Sequence, residues 1–176
     1  LLDVVLVAST AVFGDRHNSN HCMKHVKRSV LLWYSPREMY ELVTAVQAYP
    51  TFLPWCAQAD VVEHHDDGMT ARLTLAKGGL RHAFTTRNHH RNGQEVRVTL
   101  VDGPFSQLEG TWLFVPVARG GAARDADASA CRIEFDLRYA FANAALETFI
   151  SPVFDRVANT LVDSFVQRAE QVHGPR

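Results

Sequence analysis

The chain has 176 residues, 47% hydrophobic and 21% charged, with a formal net charge of −1. That length suits one domain with a core of its own, and the balance argues against a disordered chain or a polybasic DNA-binding one. Three widely spaced cysteines, Cys22, Cys56 and Cys131, form no CxxC pair, which fits buried thiols in a reducing compartment rather than disulfides or a thiolate zinc site.

The opening LLDVVLVASTAVF is apolar but shorter than the ~20 residues of a membrane helix, and it lacks a basic signal-peptide start. A coherent strand pattern begins only at Met23. Residues 1–22 are therefore expected to be a leader outside the fold, a membrane-proximal anchor being the alternative, and 23–173 the domain. KHVKRSVLLWY then alternates Val26, Val30 and Leu32 with Lys27 and Ser29, a first strand. Ser35, Pro36 and Glu38 supply an N-cap, a proline at N1 and a capping box, with Tyr34 and Met39 placed for a hydrophobic staple. The helix they start carries Met39, Leu42, Val43 and Val46 at helical spacing and is expected to run until Pro50.

After YPTFLPW (Tyr49–Trp55) the period changes to two. Met69, Ala71, Leu73 and Leu75 follow a turn at His64–Gly68. Leu80, His82 and Phe84 follow Lys77-Gly78-Gly79, and Val96, Val98 and Leu100 follow the hairpin signal Asn92-Gly93. Asp102-Gly103-Pro104 turns the chain into a strand over Leu108–Val117. A long Ala- and Gly-rich hairpin loop then leads to the clearest strand, Cys131, Ile133, Phe135, Leu137, Tyr139 and Phe141 against Arg132, Glu134, Asp136 and Arg138. From Asn143 to about Val172, Leu146, Phe149, Ile150, Val153, Val157, Leu161 and Phe165 recur at helical spacing, with a kink or a short preceding turn expected at Pro152.

Six to seven antiparallel strands with one apolar face, and one long helix to cover it, predict an α+β fold: a strongly curved sheet gripping the C-terminal helix, with the short N-terminal helical segment closing one end. Such a grip tends to leave a dry space suited to an apolar ligand.

Motifs of chemistry are missing. The adjacent pairs His64-His65 and His89-His90 point to opposite faces of their strands, so no metal site is expected. No GxSxG, GxxxxGK[ST] or GxGxxG occurs. Glu134 and Asp136 share parity with Arg132 and Arg138, which suits exposed cross-strand ion pairs. No catalytic residue is expected, and the protein is read as a non-enzyme. What remains is apolar: YPTFLPW and Val101–Phe105 are greasy proline turns, and Phe52, Trp55 and Phe105 would on physics alone equally be lids over the core ends.

From about Met23 to Val172 the chain resembles the bacterial RatA/YfjG-like proteins, which are similar to the mitochondrial coenzyme Q-binding proteins of the START-like (polyketide cyclase/lipid transport) superfamily. Met39–Val43, Tyr49–Cys56, Phe84–Asn88, Leu100–Phe105 and Cys131–Phe135 carry the likeness, in order across nearly the whole domain. The resemblance implies a helix-grip fold with a hydrophobic cavity. It implies no required cofactor, but a bound ubiquinone or other isoprenoid lipid in support of respiration. The alternative it carries is a ribosome-associating toxin or regulator that blocks association of the ribosomal subunits. The expected location is the cytoplasm or the periphery of the inner membrane, with transient membrane contact. The leader and the longer Ala118–Ala130 loop depart from the family pattern.

For the ligand, the candidate residues are Phe52, Leu53, Trp55, Phe105 and Trp112 at mouth and wall, Phe149, Val153 and Leu161 from the helix, and, by strand parity, Leu73, Phe84, Leu100, Phe135 and Leu137. At ~0.8 kcal/mol per buried CH₂, a short prenyl chain would supply micromolar affinity. For the ribosome, Arg81, Arg87 and Arg91 with Lys24, Lys27 and Arg28 are the candidate phosphate contacts.

Overall fold

The computed structural model describes residues 23–117 and 128–176. Strand β1 (Lys24–Leu32) leads to helix α1 (Pro36–Thr44) and a 3-10 turn (Val46–Thr51). Six strands follow: β2 (Cys56–His65), β3 (Gly68–Lys77), β4 (Leu80–Arg91), β5 (Glu95–Asp102), β6 (Phe105–Val117) and β7 (Ala130–Phe141). Helix α2 (Ala144–His173) comes last. All seven strands lie in one antiparallel sheet, ordered β1-β7-β6-β5-β4-β3-β2. The expected leader, and the hairpin loop as far as residue 127, lie outside the described residues.

Strand β7, next to the β1 edge, behaves as its alternation predicts, with Cys131, Ile133, Phe135, Leu137, Tyr139 and Phe141 buried and Arg132 and Arg138 exposed. Glu134 and Asp136 stay on the wet face. Their arginines are neighbours two residues away on the same strand, at 3.1 and 3.8 Å, and the cross-strand partners of Asp136 are His25 and Lys27 of β1.

The capping box at α1 is complete: the Glu38 amide donates to Ser35 Oγ and the Ser35 amide to the Glu38 carboxylate. The α-helix, however, stops at Thr44, six residues short of Pro50. A 3-10 turn replaces its expected last turn, with Pro50 inside it. Proline cannot donate the bond an α-helical turn would need there, and the residue before it avoids the α region. The chain's other end is tied to this cap. Tyr34 Oη donates to the Gly174 carbonyl at 2.8 Å, and the Arg176 guanidinium reaches the Glu38 carboxylate at 2.9 and 3.1 Å.

Helix α2 is one continuous element containing Pro152, not a turn followed by a helix. Asn143 caps it, accepting from the Leu146 amide at 2.9 Å. Its buried seam is Ile150, Phe154, Val157, Ala158, Val162, Phe165 and Ala169. The phase differs from the expected stripe, because Phe149 stands about 140° round the helix from Phe154 at 100° per residue; Phe149 is 72% exposed.

Edge strand β1 clasps this helix. Lys24 and Arg28 share parity with Val26 and Val30 and turn toward α2, where Asp155 meets Lys24 at 2.6 Å and Asp163 meets Arg28 at 3.0 Å. The spacings match: four strand residues span ~13 Å and eight helical residues ~12 Å. Tyr139 Oη and Ser151 Oγ also donate to Asp155, at 2.7 and 2.9 Å. Asp155→Ala is expected to lower the unfolding free energy by about 2 kcal/mol in chemical denaturation. Most of that comes from the orphaned Tyr139 hydroxyl, because the partly exposed ion pair is screened.

At the β5–β6 turn, Gly103 holds φ +143°, and a Cβ there would lie 2.6 Å from Phe84 Cβ. Only glycine lets this turn seat against the core. At the end of β4, the half-buried His90 ring packs edge-on against Tyr40, with Nε2 buried and unpartnered. Burial, then Arg87, holds its pKa below the ordinary 6.5. The unfolded chain therefore takes up that proton first, and stability is lost as pH falls through 6.5. The urea midpoint is expected to drop between pH 7.5 and 5.5, and to drop less in His90→Phe.

Candidate functional site

The concave face of the sheet is laid out in rows of register partners. One row is Met69, Asn88, Val98, Gly110 and Leu137 across β3, β4, β5, β6 and β7. A second joins Val96, Trp112 and Phe135, and a third pairs Leu73 with Phe84. Where α2 crosses these rows it presents Phe154, Val157, Ala158, Leu161 and Phe165, and the two layers leave a cavity of about 100 Å³ between them. Val46, Tyr49 and Trp55 close one end. Tyr49 is fixed by its hydroxyl, which donates to the Val43 carbonyl at 2.5 Å.

Seven of the candidate residues line this space: Trp55, Leu73, Phe84, Trp112, Phe135, Leu137 and Leu161. Phe52 lies behind the wall, edge-on to Tyr49 and Phe165 at 5.8 and 5.3 Å, with the Arg168 guanidinium over its ring. Leu53 is ordinary core at 1% exposure. Phe105 belongs to an aromatic cluster with Phe84, Phe141 and Phe154. Leu100 and Val153 pack against the core without lining the cavity. Phe149 points away from it, as the helix phase requires.

Lining residues that sequence reasoning did not single out include Val46, Tyr49, Thr86, Asn88, Val98, Gly110, Phe154 and Ala158. Thr86 and Asn88 share strand parity with Phe84, so alternation alone would have placed them inward; their polarity hid them. Thr86 Oγ1 donates to Asn88 Oδ1 at 2.9 Å, and both residues are buried. Tyr49 is the cavity's one titratable side chain among the described residues, and burial, then Cys56, holds its pKa well above the ordinary value. Burial likewise pushes the Cys56 thiol up to about 11 and the Cys131 thiol up to about 12, the latter aided by Glu38, so neither is a ready nucleophile.

Of the six basic residues offered as phosphate contacts, Arg81 is exposed on β4 and the other five lie beside acidic side chains. Lys24 and Arg28 face α2, Lys27 meets Asp136, Arg87 meets Asp67, and Arg91 lies 3.6 Å from Glu95. Among the described residues no group of three His, Cys, Asp or Glu side chains is placed to hold a metal ion, and no helix is long and apolar enough to cross a membrane.

The chain is 40% identical to a protein of Pseudomonas aeruginosa named ribosome association toxin RatA, over 85% of this chain and 98% of the relative. A Xenopus laevis mitochondrial coenzyme Q-binding protein homologue is 26% identical over 83% of this chain and 58% of its own length. Among solved structures, an 18 kDa protein of Caulobacter crescentus is 31% identical, with a TM-score of 0.63 over 86% of this chain and 99% of that one. An aromatase/cyclase from Streptomyces sp. R1128 shares the fold at 14% identity, with a TM-score of 0.70 over 85% and 94%. Residues 32–166 match the family model described as polyketide cyclase/dehydrase and lipid transport, and the chain belongs to that family.

Proposed function

We propose that the protein binds a hydrophobic molecule, a quinone or related isoprenoid lipid, between its sheet and its long helix, and that it does so without catalysis. The observation that carries this reading is the cavity wall, which is apolar on the helix layer and, apart from Thr86 and Asn88, on the sheet layer, and whose titratable group, Tyr49, is neutral and hydrogen-bonded. Size decides how much of such a ligand fits. A cavity of ~150 Å³ takes one benzene ring, and drug-sized sites run from ~300 Å³. About 100 Å³ therefore seats a few carbons, and at ~0.8 kcal/mol per CH₂ that supports millimolar rather than micromolar affinity. Tighter binding requires the Tyr49–Trp55 end to swing off Phe165. Methyl-resolved NMR titration with a short-chain ubiquinone tests this. Shifts are expected at Leu73, Val98, Leu137 and Leu161; shifts confined to exposed residues such as Val101 would refute cavity binding.

A second reading, association with a ribosomal subunit, is favoured by the 40% identity to a relative named for it. Because the candidate cations are largely paired within the chain, such binding is expected to show a shallow salt dependence. Sedimentation of ribosomal subunits with and without the protein checks it: an unaltered subunit profile counts against this reading.

A further inference from the structure

Two polar groups in the cavity wall have no partner, and both are donors. Trp55 Nε1 is buried without a hydrogen bond, which is uncommon for a buried indole. Asn88 is 7% exposed, and its Oδ1 is occupied by the Thr86 hydroxyl, while its Nδ2 donates to nothing among the described residues. The wall's other hydroxyl, Tyr49, is already donating to a backbone carbonyl. Around Asn88 the wall is Leu73, Val98, Gly110 and Leu137. A saturated hydrocarbon seated there would leave the Asn88 donor unsatisfied, which costs more than the bond itself contributes. An acceptor oxygen on an otherwise apolar ligand removes that cost.

Resting on the ligand-binding reading above, we infer that the cavity selects molecules bearing a carbonyl oxygen, and that Asn88 is the specificity-determining donor, through its side-chain amide. Thr86 is the positioning residue: by donating to Oδ1 it fixes which end of the Asn88 amide is presented to the ligand.

Two probes of matched shape that are small enough for this cavity, acetone and isobutene, separate donor recognition from simple burial. Their affinities are measured by NMR titration for the wild type and for Asn88→Leu, which keeps the size and removes the donor. The expected result is a three- to tenfold loss of acetone affinity in the variant, with isobutene unchanged or tighter. In the wild type, the Asn88 side-chain NH₂ resonance is expected to move with acetone and not with isobutene, a measurement that does not depend on the variant folding. Equal effects of the substitution on both probes, or an Asn88 amide indifferent to the ketone, would overturn the inference while leaving apolar binding intact. Failure of both probes to shift any cavity methyl of the wild type would overturn the ligand-binding reading along with it.

Discussion

Phe165→Ala is expected to lower the unfolding free energy by about 4 kcal/mol, and Phe149→Ala by less than about 0.5 kcal/mol. Both residues are phenylalanines on the same helix, and both fit the sequence's apolar stripe. Phe165 is fully buried and meets Tyr49, Phe52 and Trp112 edge-on at 5.2–5.4 Å, so truncation removes three ring contacts and leaves a void at the join between helix, sheet and the 3-10 turn. Phe149 is 72% exposed and gives up almost no buried surface. For a domain of this size, 1 kcal/mol moves the melting temperature by about 2–4 °C, so thermal unfolding should separate the two variants by roughly 7–16 °C. Similar melting points for both would mean that the helix is rotated from the orientation described.

Ala158→Leu is expected to abolish ligand uptake, at least thirtyfold, with stability within about 1 kcal/mol of the wild type. Ala158 is 1% exposed and lines the cavity from the helix side. Its enlargement puts aliphatic carbons where the ligand would sit, and the gain from filling space offsets the strain of overpacking. Isothermal titration with a short-chain quinone, alongside urea unfolding, reads both quantities. A variant that binds normally would place the ligand elsewhere, and one that is unfolded would show that the cavity tolerates no added volume. The substitution also discriminates between the two functional readings, since ribosomal association through the outer surface is expected to survive it.

Much of this architecture is legible in the sequence where a single physical signal dominates. Strand β7 is buried on one face and wet on the other, so its alternation is strict. The caps of α1 and α2 rely on local side-chain geometry at Ser35–Glu38 and Asn143, which no distant contact overrides. Strand β2 was illegible for the opposite reason: it is an edge strand whose only fully buried side chains are Cys56 and Ala59, so no alternation develops. The phase of α2 was ambiguous because Phe149 and Phe154 both offer large rings, and only packing against Phe105 and Tyr139 chooses between them.

At the candidate site, parity turned Leu73, Phe84, Phe135 and Leu137 inward, and all four line the cavity. It also held the information that Lys24, Arg28, Thr86 and Asn88 turn inward. Their polarity made them look like surface, and only the acids on α2 and the Thr86–Asn88 bond explain how they tolerate burial. Cavity lining and plain core differ by the volume left over after packing, a quantity that no local pattern encodes.

Native mass spectrometry of the protein incubated with a short-chain ubiquinone, wild type beside Ala158→Leu, tests ligand binding most directly. The predicted result is a one-to-one adduct on the wild type that is absent from the variant. No adduct on the wild type at saturating quinone, or equal adducts on both proteins, would contradict the assignment of the cavity as a ligand site.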